Sequence, residues 1–262
     1  MSDQGNFFNV LDYYGSPPLS STYAGAFQMA ISAATSSGGI VFMPPGAYDI
    51  DADINPVSGI VISGYGATLI STNASVDAAI FSYSVAASPL TNLVIQGFTF
   101  DLASNSVSGG AIALGGASLE DVMIRDIQIL GSDSGAAWMV ALGYIYATNV
   151  TDNHSERIHV ENCTFSGGTT GGTEALILKS CDQLTVSNCH FYDVSTYSSG
   201  VDFSQCLGIY GYCNGVAVRG NVFRGCNGSI LVQQAQNVTI TANIARNGAS
   251  SSGDNWDVTL RN

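Results

Sequence analysis

Charged residues are scarce in this chain of 262 residues: 7 lysines and arginines and 20 aspartates and glutamates give a formal net charge of −13. Nucleic-acid binding needs a stripe or patch of basic side chains, so the shortage of lysine and arginine argues against a nucleic-acid partner. No apolar run reaches 18 residues, which argues against membrane insertion. The first residues, 1–5, lack the basic and apolar regions of a signal peptide.

Closely spaced cysteine or cysteine/histidine motifs are also missing, although the chain contains six cysteines. Zinc sites are normally recognised by such spacings, so we expect no metal and no cofactor.

What the chain does contain is a repeat. Seven short segments carry an apolar-x-apolar pair, which predicts a strand with one buried face. The pairs are Ile60/Ile62, Leu93/Ile95, Val122/Ile124, Ile158/Val160, Leu184/Val186, Val216/Val218 and Val238/Ile240. Recurrence at irregular spacings predicts stacked coils with loops of variable length between fixed strands. We interpret the chain as an all-β protein, a parallel β-helix of about seven or more coils.

A corner follows each pair. A small or turn-forming residue comes next, at Gly64, Gly97, Asp126, Asn162, Asn188, Gly220 and Ala242. Five positions after each pair lies another apolar residue, namely Ala67, Phe100, Ile129, Phe165, Phe191, Phe223 or Ala245. The register therefore predicts a sharp turn into a second strand. It also predicts that the three phenylalanines from successive coils, Phe165, Phe191 and Phe223, stack inside the core.

The N-terminal segment has a helical period instead. Apolar residues between Tyr23 and Ala34 lie on one stripe of a helix, with Ser20, Ser21 or Thr22 as its N-cap. Such a helix would cover the open first coil of the solenoid. We divide the chain into residues 1–50, which hold the capping helix and first strands, and residues 51–262, which form the β-helix with an apparently uncapped end.

The run Phe8-Asn9-Val10-Leu11-Asp12-Tyr13-Tyr14-Gly15, the helix, and the run from Gly38 to Ile50 resemble the opening of the pectate-lyase-like superfamily. That superfamily includes viral tailspikes and polysaccharide depolymerases. The resemblance implies a right-handed β-helix and, in viral members, a homotrimer that binds or cuts a surface glycan. The opening motif is architectural, so it implies the fold more strongly than the chemistry.

Glycoside hydrolysis needs two carboxylates, so we looked for acids on one outward face. The Asp-Asp pair and Gly-His-Gly loop of related hydrolases are absent, as is the clustered aspartate site of the lyases. Counting back from each pair predicts a preceding strand with Leu176/Leu178, Val201/Phe203 and Ile230/Val232 inward. Its outward face would then bring Glu174, Asp202 and Lys179 together as candidate catalytic groups. A salt bridge between Lys179 and Asp202 is the simpler interpretation.

Aromatic residues near the predicted long loops are candidate sugar-stacking platforms. The candidate ligand-binding residues are Trp138, Tyr144, Tyr146, Tyr210 and Tyr212. Their loops span residues 143–156 and 207–212. The alternative is that these rings pack on the coil beneath them.

Two function classes remain open. One is a viral β-helix protein, of the tailspike, fibre or virion-surface kind, that recognises host polysaccharide with or without cleavage; its localisation would be the virion or the extracellular space. The other is a purely structural virion or decoration subunit. A secreted polysaccharide lyase or hydrolase is a weaker third. Outward apolar side chains at Ile177 and Leu231 favour a subunit interface, with a homotrimer and other virion subunits as expected partners.

The cysteines leave the redox compartment undecided. Cys163 and Cys189 share a corner column with Asn221 and Asn243, which favours free thiols. The pair that brackets the predicted tyrosine loop, Cys206 and Cys213, could close it as a disulfide, and Cys181 could compete for the same edge.

Overall fold

In the computed structural model of the protein, the described residues are 6–72, 79–83, 88–102, 110–115, 118–131, 138–143, 154–167, 174–194, 206–226, 228–246 and 256–261. They form a right-handed parallel β-helix with a helix at its N-terminal end. Every strand pairing between successive coils is parallel among these residues, as the repeat predicted.

Three sheets run along the solenoid. The first comprises β1 (Phe7–Asn9), β2 (Gly39–Phe42), β4 (Ile60–Ser63), β7 (Leu90–Gln96), β10 (Leu119–Arg125), β13 (Ser155–Glu161), β16 (Cys181–Asp182), β17 (Thr185–Ser187), β20 (Asn214–Arg219) and β23 (Gln236–Thr241). The second comprises β3 (Gly46–Ile50), β5 (Ala67–Ser71), β8 (Thr99–Asp101), β11 (Gln128–Leu130), β14 (Thr164–Ser166), β18 (His190–Tyr192), β21 (Val222–Arg224) and β24 (Ile244–Arg246). The third comprises β6 (Ala79–Tyr83), β9 (Gly110–Leu114), β12 (Trp138–Gly143), β15 (Glu174–Lys179), β19 (Leu207–Tyr210), β22 (Gly228–Gln233) and β25 (Trp256–Arg261).

The predicted inward pairs of the first sheet are in register from coil to coil. Val122 pairs with Ile158, and Ile124 pairs with Val160. All four of these side chains are fully buried. The period-two pattern therefore assigned the buried face correctly, because a slip of one residue would have turned these side chains to solvent.

Sharp corners join the first sheet to the second. Six of the seven predicted corner residues have φ between 53° and 80°, in the left-handed region. They are Gly97, Asp126, Asn162, Asn188, Gly220 and Ala242. Glycine, asparagine and aspartate tolerate this conformation best, which explains why the corner column is rich in them.

The core of the second sheet contains the predicted phenylalanine stack. The rings of Phe165 and Phe191, and those of Phe191 and Phe223, have centroids 4.7 Å apart and planes 5° apart. The stack is thus confirmed.

One register assignment in the second sheet was wrong. Leu69, rather than Ala67, pairs with Phe100, although the side chains of both Leu69 and Ala67 are buried.

The capping helix α1 spans Tyr23–Ala34, as its periodicity predicted. Thr22 is the N-cap, and its hydroxyl accepts a hydrogen bond from the Gly25 amide at 3.1 Å. Buried Phe27 packs against Phe81, with ring centroids 5.8 Å apart. A short 3₁₀ helix, Val10–Tyr13, precedes α1.

Free thiols take the place of asparagine in the corner column. Asn221 Nδ2 donates to the carbonyl of Val186 at 3.1 Å. In an earlier coil, Cys189 Sγ donates in the same way to the carbonyl of Val160 at 3.7 Å. The ladder prediction is therefore confirmed. Cys163, Cys189, Asn221 and Asn243 each donate to a carbonyl of the coil before.

The predicted disulfide between Cys206 and Cys213 is wrong, because all six cysteines are free and buried. The two thiols face different neighbours. Cys206 donates to the carbonyl of Val194 at 3.9 Å, and Cys213 Sγ accepts from the Cys181 amide at 3.3 Å. Cys206 and Cys213 therefore each contact a different coil and do not contact each other.

Candidate functional site

The outer face of the third sheet is lined by small and apolar residues. The row runs through Ala113, Ala141, Ile177, Gly208 and Leu231 in successive coils. Ala113, Ala141, Gly208 and Leu231 are buried. Larger side chains from neighbouring positions, Trp138 among them, therefore lie across the small residues of this row. The candidate site is built on this row.

Glu174 and Tyr210 meet above the row. Glu174 begins β15, and Tyr210 ends β19 on the next coil. The Tyr210 hydroxyl donates a hydrogen bond to Glu174 Oε1. Because Tyr210 is paired with Lys179 at the other end of β15, its ring must reach back along the strand to make this contact.

Gly208 allows this orientation. A Cβ atom at position 208 would lie 2.7 Å from the Tyr210 hydroxyl and 2.8 Å from Cζ, closer than real Cβ atoms come. The tyrosine ring therefore lies flat over the glycine backbone. Any side chain at this position would displace the ring and remove the hydrogen bond to Glu174.

Burial raises the pKa of Glu174 to about 7, and the hydrogen bond from Tyr210 opposes that rise. Desolvation disfavours the charged carboxylate, whereas a donor to the carboxylate favours it. The result is a carboxyl group that exchanges a proton near neutral pH. A general acid or base is most effective when its pKa lies near the working pH.

Lys179 is not the partner of Glu174. It lies at the far end of β15, half-buried, and forms no ion pair with any residue of the described part of the chain. The side chain beside Glu174 is thus Tyr210 rather than the predicted Lys179.

The register assigned to Asp202 was wrong. Leu207 and Ile209, rather than Val201 and Phe203, occupy the inward positions between β15 and β22. Gly208 consequently takes the place beside Ile177 that was predicted for Asp202. Asp202 itself lies outside the described residues.

The predicted stacking platforms have different surroundings. Trp138 is only 8% exposed and packs against a small cluster that includes Ala79, Ala113 and Ala141. Its ring is therefore covered, and it is not available for sugar stacking. Tyr144 and Tyr146 lie outside the described residues.

Of the two other tyrosines, Tyr210 belongs to a strand rather than to a loop, since β19 spans Leu207–Tyr210. Tyr212 is 54% exposed and follows directly after that strand. Of these two tyrosines, it is the one with the larger exposed surface.

The outward apolar residues are accounted for within the chain. Leu231 is 0% exposed, and Ile177 packs against the cluster that contains Trp138. The prediction that both are exposed was wrong, so they no longer argue for a subunit interface.

The first sheet carries a separate ion-pair cluster. Arg157 Nε lies 2.6 Å from Asp121 Oδ1, and Arg157 Nη1 lies 2.6 Å from Glu156 Oε2. Glu120 is the third carboxylate in contact with this guanidinium. The cluster is a solvent-facing ion-pair network of modest energetic weight.

His159 lies between Met123 and Thr185 on the first sheet. Arg125 is in register with Glu161 but donates its Nε hydrogen bond to Gln96, at 2.8 Å. Within the described residues, no group of three or more histidine, cysteine or acidic side chains is arranged to hold a metal ion.

The sequence profile of the family described as rhamnogalacturonase A/epimerase, pectate lyase-like, matches residues 7–206. That match covers most of the chain. The chain belongs to this family. Comparison with curated proteins by sequence gives no match.

Solved structures with the same fold include polysaccharide-active proteins. One is a glutamate mutant of the tailspike of E. coli bacteriophage HK620 in complex with a pentasaccharide, with a TM-score of 0.74 and 15% identity over 98% of this chain and 47% of that one. A putative glycosyl hydrolase from Parabacteroides merdae has a TM-score of 0.56 and 15% identity over 83% of this chain and 97% of that one.

An iota-carrageenase in complex with iota-carrageenan fragments has a TM-score of 0.55 and 14% identity over 88% of this chain and 55% of that one. The chain thus spans about half the length of the tailspike and of the carrageenase. In the part of the chain that is described, no helix is long and apolar enough to cross a bilayer.

Proposed function

We propose that this member of the pectate-lyase-like family recognises a polysaccharide on the outer face of its third sheet and hydrolyses it. The single observation that carries the proposal is Glu174: a carboxyl group on an outer strand, buried enough to hold its proton near neutral pH and bonded to Tyr210. The structural neighbours include proteins bound to a pentasaccharide or to carrageenan fragments, which favours a glycan as the ligand.

In this proposal, Glu174 acts as the general acid. Protonated Glu174 donates its proton to the glycosidic oxygen as the bond to the departing sugar breaks. Tyr210 holds the carboxyl group in one orientation and stabilises the carboxylate that remains after proton transfer. The second carboxylate of a glycosidase would activate water or attack the anomeric carbon. Asp202 is a candidate for that role from the sequence alone, since the register that placed it beside Glu174 is not the one observed.

Tyr212 supplies the recognition surface. Its exposed ring lies next in the chain to the strand that carries Tyr210. An aromatic face can stack on a pyranose ring, while the hydroxyl hydrogen-bonds to sugar or water. Tyr144, Tyr146 and Lys179 remain candidates for further contacts.

The test uses a panel of bacterial surface polysaccharides, scored separately for binding and for new reducing ends. Glu174→Gln should abolish product formation while binding is retained, and Asp202→Asn should do the same. The matched control Glu161→Gln, on the outer face of the first sheet, should cleave like the wild type. Unchanged cleavage by Glu174→Gln overturns its role, and binding without cleavage by the wild type leaves recognition alone.

An assembly role is the second candidate. Ile244, Val258 and Leu260, on the last two described strands, are 51%, 44% and 69% exposed. Exposed apolar side chains on strands favour contact with another protein surface. We propose a homotrimer in a virion, and light scattering that reports a monomer at micromolar concentration would contradict it.

A further inference from the structure

Two arginines are stacked on the outer face of the second sheet. Arg224 in β21 is in direct register with Arg246 in β24. Phe223 and Ala245 point into the core beside them, so both arginines point outward, and both are exposed. Adjacent strands lie about 4.8 Å apart, which brings the two guanidinium groups within reach of one ligand.

Neither guanidinium has a partner in the described part of the chain. No carboxylate oxygen there lies within 4.0 Å of Arg224 or Arg246. Asp193, which follows Tyr192 at the end of β18, has its carboxylate close to Gly225 instead. Arg157, by contrast, contacts three carboxylates.

This arrangement costs free energy in the unliganded protein. Like charges directly opposite each other on neighbouring strands are destabilising. The chain has 7 basic residues against 20 acids. Two of those few basic residues are stacked here with no ion-pair partner among the described residues. An anion between them would remove the repulsion, and each planar guanidinium can bind two oxygens of a carboxylate or sulfate.

The surroundings suit a sugar. Tyr192 precedes Arg224 in the same column and is partly exposed. Its hydroxyl is 2.9 Å from Nδ1 of exposed His190, which fixes the orientation of the ring. Ile244 adds an exposed apolar surface beside Arg246. Aromatic and apolar faces next to paired cations match an acidic sugar, which combines an apolar ring face with an anionic substituent.

We propose that Arg224 and Arg246 form an anion-binding subsite for the carboxylate or sulfate group of an acidic polysaccharide. The subsite lies on a different sheet from Glu174, and it does not depend on cleavage at the third sheet. Nucleic acid does not fit the proposal, since a net charge of −13 repels a densely charged phosphate backbone.

The test is calorimetric titration of the full chain with three probes: an oligogalacturonate, a sulfated galactan oligosaccharide and neutral dextran. At least one anionic probe should bind, with an affinity that falls as salt rises, and dextran should not bind at this subsite. Arg224→Gln and Arg246→Gln should each weaken binding about tenfold or more. The preferred probe identifies the substituent as carboxylate or sulfate.

Arg219→Gln is the matched control. Arg219 is also exposed and has no ion-pair partner within the described ranges, but it lies on the first sheet between Ser187 and Thr241. This variant should bind like the wild type. The urea midpoint gives a readout independent of sugar: at low salt, Arg246→Gln should raise it, and added sulfate should raise the wild-type midpoint more than that of Arg246→Gln.

Three results would overturn the subsite. These are failure of both anionic probes to bind the wild type, equal binding by wild type and both glutamine variants, and an equal loss in all three arginine variants. The last would indicate a general effect of charge. Loss of cleavage at the third sheet alone would leave this proposal intact.

Discussion

The raised pKa of Glu174 leads to a prediction that can be tested without knowing the glycan. Its pKa is about 7 in the folded protein, against 4.5 for an ordinary glutamate. The folded state therefore holds this proton more tightly than the unfolded state does. By linkage, stability from this group is full below pH 4.5 and falls as pH rises towards 7.

The size of the effect follows from the shift. One unit of pKa corresponds to about 1.4 kcal/mol, so a shift from 4.5 to about 7 amounts to about 3 kcal/mol. Urea unfolding from pH 4 to pH 8 should show wild type losing this much relative to Glu174→Gln, whose neutral amide cannot titrate. The difference between the two curves isolates Glu174 from every other carboxylate.

Tyr210→Phe should move the difference curve in a defined direction. Removing the hydroxyl takes away a hydrogen bond that favours the carboxylate, so the pKa of Glu174 should rise further and the fall in stability should continue above pH 7. Tyr212→Phe is the control, because its hydroxyl belongs to an exposed side chain. A flat difference curve between wild type and Glu174→Gln would refute the buried acid.

Three further predictions concern packing and recognition. Phe191→Ala should cost about 3–5 kcal/mol of unfolding free energy, because the ring is buried between two others, whereas Phe7→Ala, at 44% exposed, should cost far less by the same urea assay. Tyr212→Ala should weaken glycan binding and leave the melting temperature nearly unchanged; lost stability with unaltered binding would assign the ring to packing. The cysteine thiols should resist an aromatic disulfide reagent in the native protein and react on unfolding, because all six are buried; rapid labelling of native protein would contradict this.

Inward positions were predictable because burial imposes them locally. A strand that buries one face must alternate, and a corner in the left-handed region selects glycine, asparagine or aspartate. The pairs from Ile60/Ile62 to Val238/Ile240 and the corners from Gly97 to Gly220 carry these signals in their own sequence. A second column of left-handed residues includes Asn92, Asp121, Arg157, Gln183 and Asn237. It was missed although Asn92, Asp121 and Asn237 carry the same signal, because Arg157 and Gln183 interrupt it with residue types that do not favour this conformation.

The candidate site was harder, because it depends on which segment occupies the neighbouring coil. Val201/Phe203 and Leu207/Ile209 are apolar pairs six residues apart, with the same parity. Alternation alone cannot choose between them. The deciding feature is Gly208, which leaves room for Tyr210 above the sheet. In the sequence, the glycine two residues before Tyr210 was the feature that could have indicated the correct register.

Function on such a scaffold therefore depends on register more than on any single strand. Glu174 has no acidic or basic neighbour with which it pairs in the described residues, and its hydrogen bond comes from 36 residues away on the next coil. Arg224 and Arg246 likewise belong to different coils. Because the ladder fixes strands while loops vary in length, a change between two strands can preserve the core and still replace the residue beside a catalytic group. Members of one family can thus share every inward position and differ in the chemistry of their outer faces.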